Sequence, residues 1–264
     1  MNEVFIPLEP GLGNVGNTQY YPISDILSPA KSGKEPGSVF AEFPIIFDAE
    51  FKMGQWDAAL LSQVVLAEFS RTSWHAKLNV TGPPTDVEII RSEIETLAEY
   101  ASVTRRTWLA EIIAHSRGST LYFANLAGVY PNTRPASWTL ILAAYTIGQM
   151  VAMHYKYKFR RARPVQLYPA LLPAIDTPQH PSYPSSHAIQ TRLAAELLSV
   201  AQRKMEGPLV SLATKIAHGR EVAGLHYPSD TKAGIKLAVD LLPFIKEGAV
   251  INSVLERART ELQG

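Results

Sequence analysis

From Pro135 to Tyr155 the chain reads PASWTLILAAYTIGQMVAMHY, a run without a formal charge and about as long as a helix that crosses a bilayer. A segment that is apolar on all sides has two homes, a membrane or the centre of a large helical protein. Ser137, Thr139, Thr146, Gly148, Gln149 and His154 dilute this one, and no second segment resembles it. The expectation is therefore a core helix and no membrane span. Around it the apolar residues recur at helical spacing. Thr85 and Glu88 form a T-x-x-E capping box, with Val87, Ile90, Ile94, Leu97 and Ala101 three or four apart behind it. Similar patterns cover roughly residues 51–70, 136–160, 185–205, 208–225 and 230–243, with a short last one near the C-terminus. Strand-like alternation bounded by turn signals is almost absent. The expected fold class is all-α, a single-domain helical bundle over residues 51–264. It would carry an oxyanion site within 150–240 and an irregular segment over 163–183. Residues 1–50, rich in Gly, Pro, Ser and Asn, read as an extended N-terminal arm.

Composition narrows the function classes. The 264 residues are 46% hydrophobic, enough for a real core. Lys and Arg number 25 against 24 Asp and Glu, so no global field favours nucleic acid or an anionic membrane, and any anion site has to be local. The chain has no cysteine, which excludes disulfides, thiolate nucleophiles and Cys-based metal sites. The opening MNEVFIPLEPGLGNVG lacks the positive charge and apolar run of a secretory signal, so the default expectation is a cytoplasmic location. The arm would allow one subunit to wrap another in a homodimer.

Three polar clusters sit at expected helix edges. In KYKFRRARP, Lys156 and Arg163 are two helical turns apart and would share a face, with Pro164 marking the helix end. Two such cations suit an oxyanion; a basic last turn facing solvent is the bland alternative. In HPSYPSSHA, Pro184 suits the first turn of a helix, which leaves the amides of Ser185, Ser186 and His187 as unpaired donors beside the Ser185 hydroxyl. A helix start of this kind binds anions or is simply a Ser-capped turn. In HGREVAGLHYPSD, Arg220 offers a fork of donors for phosphate-like oxygens. There Asp230 either accepts the ring N–H of His226 and fixes its tautomer, or caps the next helix. Taken together, the clusters supply what a tetrahedral oxyanion passing through a trigonal bipyramid needs. Cations and amides meet the equatorial oxygens and a histidine stands on each axial side. Arg160 and Arg161 either steer anions toward the pocket or face solvent, the second being the preferred reading. His75, His115 and His154 read as core or surface histidines, and His218 either flanks the site two residues before Arg220 or sits at the surface.

In order and spacing these clusters resemble the three signature motifs of the superfamily that joins type 2 phosphatidic acid phosphatases, bacterial non-specific acid phosphatases and vanadium-dependent haloperoxidases. The motifs are Lys, six residues, Arg-Pro; Pro-Ser-Gly-His; and Arg, five residues, His, with an Asp soon after. Here they read Lys156 to Arg163-Pro164, Pro184-Ser185-Ser186-His187, and Arg220 to His226 with Asp230. The resemblance implies a helical bundle in which Lys156, Arg163 and Arg220 bind equatorial oxygens, with Ser185 and the amide of Ser186 completing the cradle. It makes His226 the axial group, oriented by Asp230, and His187 the acid-base residue opposite. Ser186 stands where the commonest motif has Gly, which keeps the amide and adds a side chain at the pocket.

Both chemistries of the superfamily use this cradle. His180 and the string GREVAGLHYPSD are similar to segments of algal vanadium bromoperoxidases, where the position matching His180 lies on the halide side. The flanks thus favour a vanadium-dependent haloperoxidase, with vanadate bound to His226 as cofactor and hydrogen peroxide and bromide or iodide as substrates. A soluble phosphatase, with a phosphate ester in the same site and a phosphohistidine at His226, is the alternative. An inactive oxyanion-binding scaffold is a third.

Overall fold

The protein is described from a computed structural model over residues 50–263, so the expected N-terminal arm lies outside the described residues apart from Glu50. In chain order the α-helices are α1 (Ala58–Ser70), α2 (Trp74–Lys77), α3 (Val87–Glu99), α4 (Arg105–Ala127), α5 (Pro135–Phe159), α6 (Pro164–Leu167), α7 (Ser186–Ala201), α8 (Glu206–Val222), α9 (Pro228–Ile245) and α10 (Ala249–Gln263). No strand occurs among the described residues, so the chain is all-α as expected.

The uncharged run becomes α5, the central helix. Pro135 opens it, and the carboxylate of Glu261 accepts the N–H groups of Ala136 at 2.9 Å and Ser137 at 2.8 Å, meeting the positive end of the helix dipole. α5 packs against α1, α7 and α10, and α7 in turn against α8 and α9. Leu140, Ile141, Ile147 and Val151 of α5 meet Ile189, Leu193 and Leu197 of α7 in one core, each fully buried and each contributing about 1.5–3 kcal/mol. Among the described residues α5 is the one helix with the length and composition to cross a membrane, and 61% of its most apolar window is buried within the protein.

Three local expectations change. The cap of α3 is Asp86 rather than Thr85: the helix starts one residue later, and a carboxylate oxygen of Asp86 accepts the N–H groups of both Glu88 and Ile89. The long helix α4 escapes a periodicity reading because Gly118 breaks its helical backbone and it buries little beyond Ile112, His115, Ser119, Phe123 and Ala124. α7 starts one residue after its Ser185 cap, so Pro184 precedes the helix instead of opening it. The segment 163–183 is irregular, with α6 as a single turn inside it.

Because α7 is packed on both α8 and α9, its first turn lies where the end of α8 and the start of α9 converge. Gly224, at φ +79°, makes the turn between those two helices and lets the chain reverse between Arg220 and His226.

Candidate active site

The first cluster straddles a helix end. α5 stops at Phe159, and Arg160 closes it in the left-handed region (φ 50°, ψ 33°). Arg163 then approaches from extended backbone (φ −70°, ψ 153°), so it and Lys156 do not share a helical face. The turn comes before the proline, yet both side chains are buried, 1% and 2% exposed. Lys156 Nζ donates to the carbonyls of Pro181 and Ser182 at 2.7 Å each, which leaves one N–H. Burial, then the charge of Arg163, push its pKa down to about 7, against the pull of Asp230. Arg163 donates to the carbonyls of His180 (3.0 Å) and Leu225 (2.8 Å), and its terminal nitrogens reach Nδ1 of His180 (3.0 Å) and Nε2 of His226 (3.1 Å). An arginine can only donate, so both imidazole nitrogens are acceptors.

That assignment fixes the tautomer of His226. Its proton is on Nδ1 and is donated to Oδ2 of Asp230 at 3.1 Å. The same Asp230 oxygen accepts the N–H of Tyr227 at 3.1 Å and the hydroxyl of Ser182, while Oδ1 takes Arg161 Nη1 at 2.7 Å. Asp230 therefore caps α9 and orients the imidazole at once, and the two readings of it were never exclusive. His226 is 3% exposed. Burial, then Lys156, Arg163, Arg220 and His180, hold its pKa well below the usual histidine value, so the ring is neutral with a lone pair on Nε2.

The second cluster supplies amides. Ser185 Oγ accepts the N–H of Ala188 at 3.4 Å, and the Ser185 N–H is taken by the carbonyl of Asp230 at 3.1 Å. The N–H groups of Ser186 and His187 have no acceptor among the described residues, and neither does Ser186 Oγ, which is buried. Arg220, in the last turn of α8 and 5% exposed, has Nε and Nη1 without a partner among the described residues. A buried guanidinium with two idle donors is built to take an acceptor from outside the chain. Burial, then Arg163, lower the Arg220 pKa to about 10. His187, at the rim of the same turn, is held well below the usual histidine value by burial first and then by Arg220, His226, Lys156 and Arg163. Idle donors, crowded positive groups and an imidazole lone pair describe a receptor for a tetrahedral oxyanion with a nucleophile on one side.

The family model of the PAP2 superfamily matches residues 137–246. Decaprenylphosphoryl-5-phosphoribose phosphatase of Mycobacterium tuberculosis is 33% identical over 135 residues, covering 51% of this chain and 70% of that protein. The protein of the same name from Mycolicibacterium smegmatis is 34% identical over 120 residues, 46% of this chain and 64% of its own length. The chain belongs to the PAP2 superfamily. Within the PAP2 superfamily these relatives are phosphatases, and nothing in the comparisons points to a vanadium bromoperoxidase, the branch that the flanks of His180 and His226 favoured.

The structure brings Lys156, Arg163, Ser185, Ser186, His187, Arg220, His226 and Asp230 together at the converging helix ends. His180 is beside them, and its carbonyl and Nδ1 both hold Arg163. Its pKa falls to about 4 through burial first and then through the charges of Lys156 and Arg163. A groove of about 510 Å³ opens past His180 and Arg163, lined also by Arg160, Gln166 and Gln179. The remaining histidines are elsewhere. His218 pairs with Glu221 and stands edge-on to Tyr100 and Trp108, His75 and His154 flank Trp74, and His115 packs on Tyr122.

Arg161 corrects an expectation. Its side chain is 8% exposed rather than in solvent, ion-paired to Glu93 at 2.8 Å and Asp230 at 2.7 Å and stacked on Tyr227. Arg161, Glu93 and Ser182 are the functional neighbours that sequence reasoning missed. Ser182 stood within the quoted HPSYPSSHA, but Glu93 looked like one more charge on an amphipathic helix. Only the packing of α3 near the start of α9 reveals it.

Proposed function

We propose that the chain is a phosphatase that hydrolyses phosphate monoesters through a phosphohistidine at His226. The observation that carries this is the pairing of the His226 Nε2 lone pair, fixed by Asp230 behind it, with the two idle donors of buried Arg220. In the reaction the phosphoryl oxygens take the free N–H groups of Lys156, Arg220 and the Ser186 and His187 amides. They also draw Arg163 Nη1 off Nε2, which frees the lone pair to attack phosphorus. The N–P bond forms as the P–O bond to the leaving group breaks, and His187 gives that oxygen a proton. Water then loses a proton to His187, attacks phosphorus and breaks the N–P bond, releasing phosphate. The mycobacterial relatives are named for a substrate with a phosphate on a ribose, which makes phosphorylated sugars the first class to test.

The electrostatics predict an acidic optimum. His187 must be protonated to serve the leaving group, and its pKa in the free protein lies well below 6.5. Activity should therefore be present below that pKa and fall as pH rises through it, while His226 stays neutral only above its own depressed pKa. A pH profile of kcat/KM for p-nitrophenyl phosphate is expected to be bell-shaped and centred below 6.5. A centre above neutrality would remove His187 from the acid role.

The deciding experiment runs two assays side by side. Purified protein is expected to hydrolyse p-nitrophenyl phosphate and to be inhibited by vanadate, a phosphate-shaped oxyanion that the same donors would hold. Vanadate-dependent bromide or iodide oxidation by hydrogen peroxide, with no ester hydrolysis, would restore the haloperoxidase reading. Absence of both activities would favour a scaffold.

A further inference from the structure

The cradle accounts for the signature residues, but Arg161 and Glu93 belong to none of the three motifs. Arg161 Nη1 donates to Ser229 Oγ and Asp230 Oδ1 at 2.7 Å each, and Nη2 donates to Glu93 Oε2 at 2.8 Å. The other oxygen of Glu93 accepts the Ser229 N–H at 2.7 Å. The guanidinium carbon lies 3.7 Å from the centroid of the Tyr227 ring, which leaves the fork little freedom to rotate. One side chain thus ties α3, the stretch after α5 and the first turn of α9. The side chains are 8% exposed for Arg161, 11% for Glu93 and 0% for Asp230, so water competes weakly for these bonds.

The consequence falls on the carboxylate behind the nucleophile. Oδ2 of Asp230 points at His226 Nδ1, and its angle depends on what holds Oδ1. A planar guanidinium anchored by Glu93 and by stacking sets that angle in a way that a single flexible cation would not. We propose that Arg161 and Glu93 are a positioning pair, which fixes the angle of Asp230 and through it the aim of the His226 ring, whose tautomer Arg163 already sets. The kinetic part of this rests on the phosphatase reading. The competing explanation is charge balance alone, in which Arg161 only keeps two buried carboxylates compensated.

Three variants of the full chain separate the two: Arg161→Gln, Glu93→Gln and the pair, which removes the Glu93–Arg161 ion pair whole and leaves Asp230 to the charges of Lys156 and Arg163. Thermal unfolding, kcat and KM for p-nitrophenyl phosphate, inhibition by inorganic phosphate, and nitrogen NMR of the His226 ring are measured. Arg161→Gln is expected to lower kcat about 10–100-fold and Glu93→Gln about 10-fold, as outer-shell partners of functional groups do. Inhibition by phosphate should stay as in the wild type, because Lys156, Arg163 and Arg220 are untouched. The pair should regain part of the stability while kcat remains low. The nitrogen and proton shifts of the His226 Nδ1–H should move wherever Arg161 is changed, because its hydrogen bond to Asp230 is re-aimed while Arg163 keeps the tautomer. Arg161→Lys should fail to rescue, since an ammonium cannot reproduce the fork. Recovery of kcat together with stability in the paired variant, or an unchanged ring signature in all variants, overturns the proposal. A wild type without hydrolysis would remove the phosphatase reading, and the ring signature would still decide the positioning role.

Discussion

Replacing His226 with Ala is expected to remove turnover of p-nitrophenyl phosphate by a factor on the order of 10⁴ or more, the scale on which enzymes lose a covalent nucleophile. The reasoning follows from the hydrogen bonds. Arg163 must donate to Nε2, so the only ring proton sits on Nδ1 against Asp230, and the lone pair faces the cradle. In the proposed reaction His187 cannot substitute, because it is the group that carries the proton. Trapping by rapid denaturation after mixing with labelled substrate should yield a phosphoprotein from the wild type and none from the variant. His75→Ala, next to Trp74 and away from the cradle, should leave the rate unchanged. Full activity in His226→Ala would end the assignment of the nucleophile.

The second large effect is expected from one methyl group. A Cβ at Gly234 of α9 would lie 2.8 Å from the carbonyl oxygen of Ser185 and 2.8 Å from Cβ of Ala188. Neither neighbour is the end of a flexible side chain, so α9 has to draw back from the start of α7. Gly234→Ala is therefore expected to cost about 1–3 kcal/mol of stability, as overpacking does, despite the better helix propensity of alanine. The same movement loosens the 3.1 Å bond from the Ser185 N–H to the Asp230 carbonyl, which ties the amide side of the cradle to the histidine side. A fall in kcat/KM of at least about 10-fold should accompany the lower stability, since misplacement by a fraction of an ångström at reacting groups is costly. Urea unfolding and steady-state kinetics on the same preparation measure both. Wild-type stability in this variant would show that the two helices are not in close contact.

How much of this was legible in the chain depended on distance along it. Lys156, Arg163, Ser185, His187, Arg220, His226 and Asp230 stood out because each motif keeps its members within a few residues of one another, where helical geometry links spacing to direction. Even there the local reasoning had limits. The turn at Arg160 came before the proline that seemed to dictate it, and Pro184 proved to lie outside α7. The opening uncharged run was legible as a central helix because nothing polar interrupts it for long. α4 was not, because its buried positions are few and a break at Gly118 scrambles their period. The choice between branches of the superfamily rested on flanking residues, and relatives among phosphatases outweigh it.

By itself the sequence determined the all-α class, the central place of α5, and the residue types that an oxyanion cradle requires, because period and composition are local properties. What only the tertiary structure decided is which donors are spent and which are free. Lys156 gives two of its three N–H groups to carbonyls of the 181–182 segment, whereas Arg220 keeps two donors idle. Arg161, expected in water, is buried between Glu93 and Asp230, 68 and 69 residues away. Hydrogen-bond saturation depends on groups that meet only when helices pack, and no spacing rule along one chain can supply it.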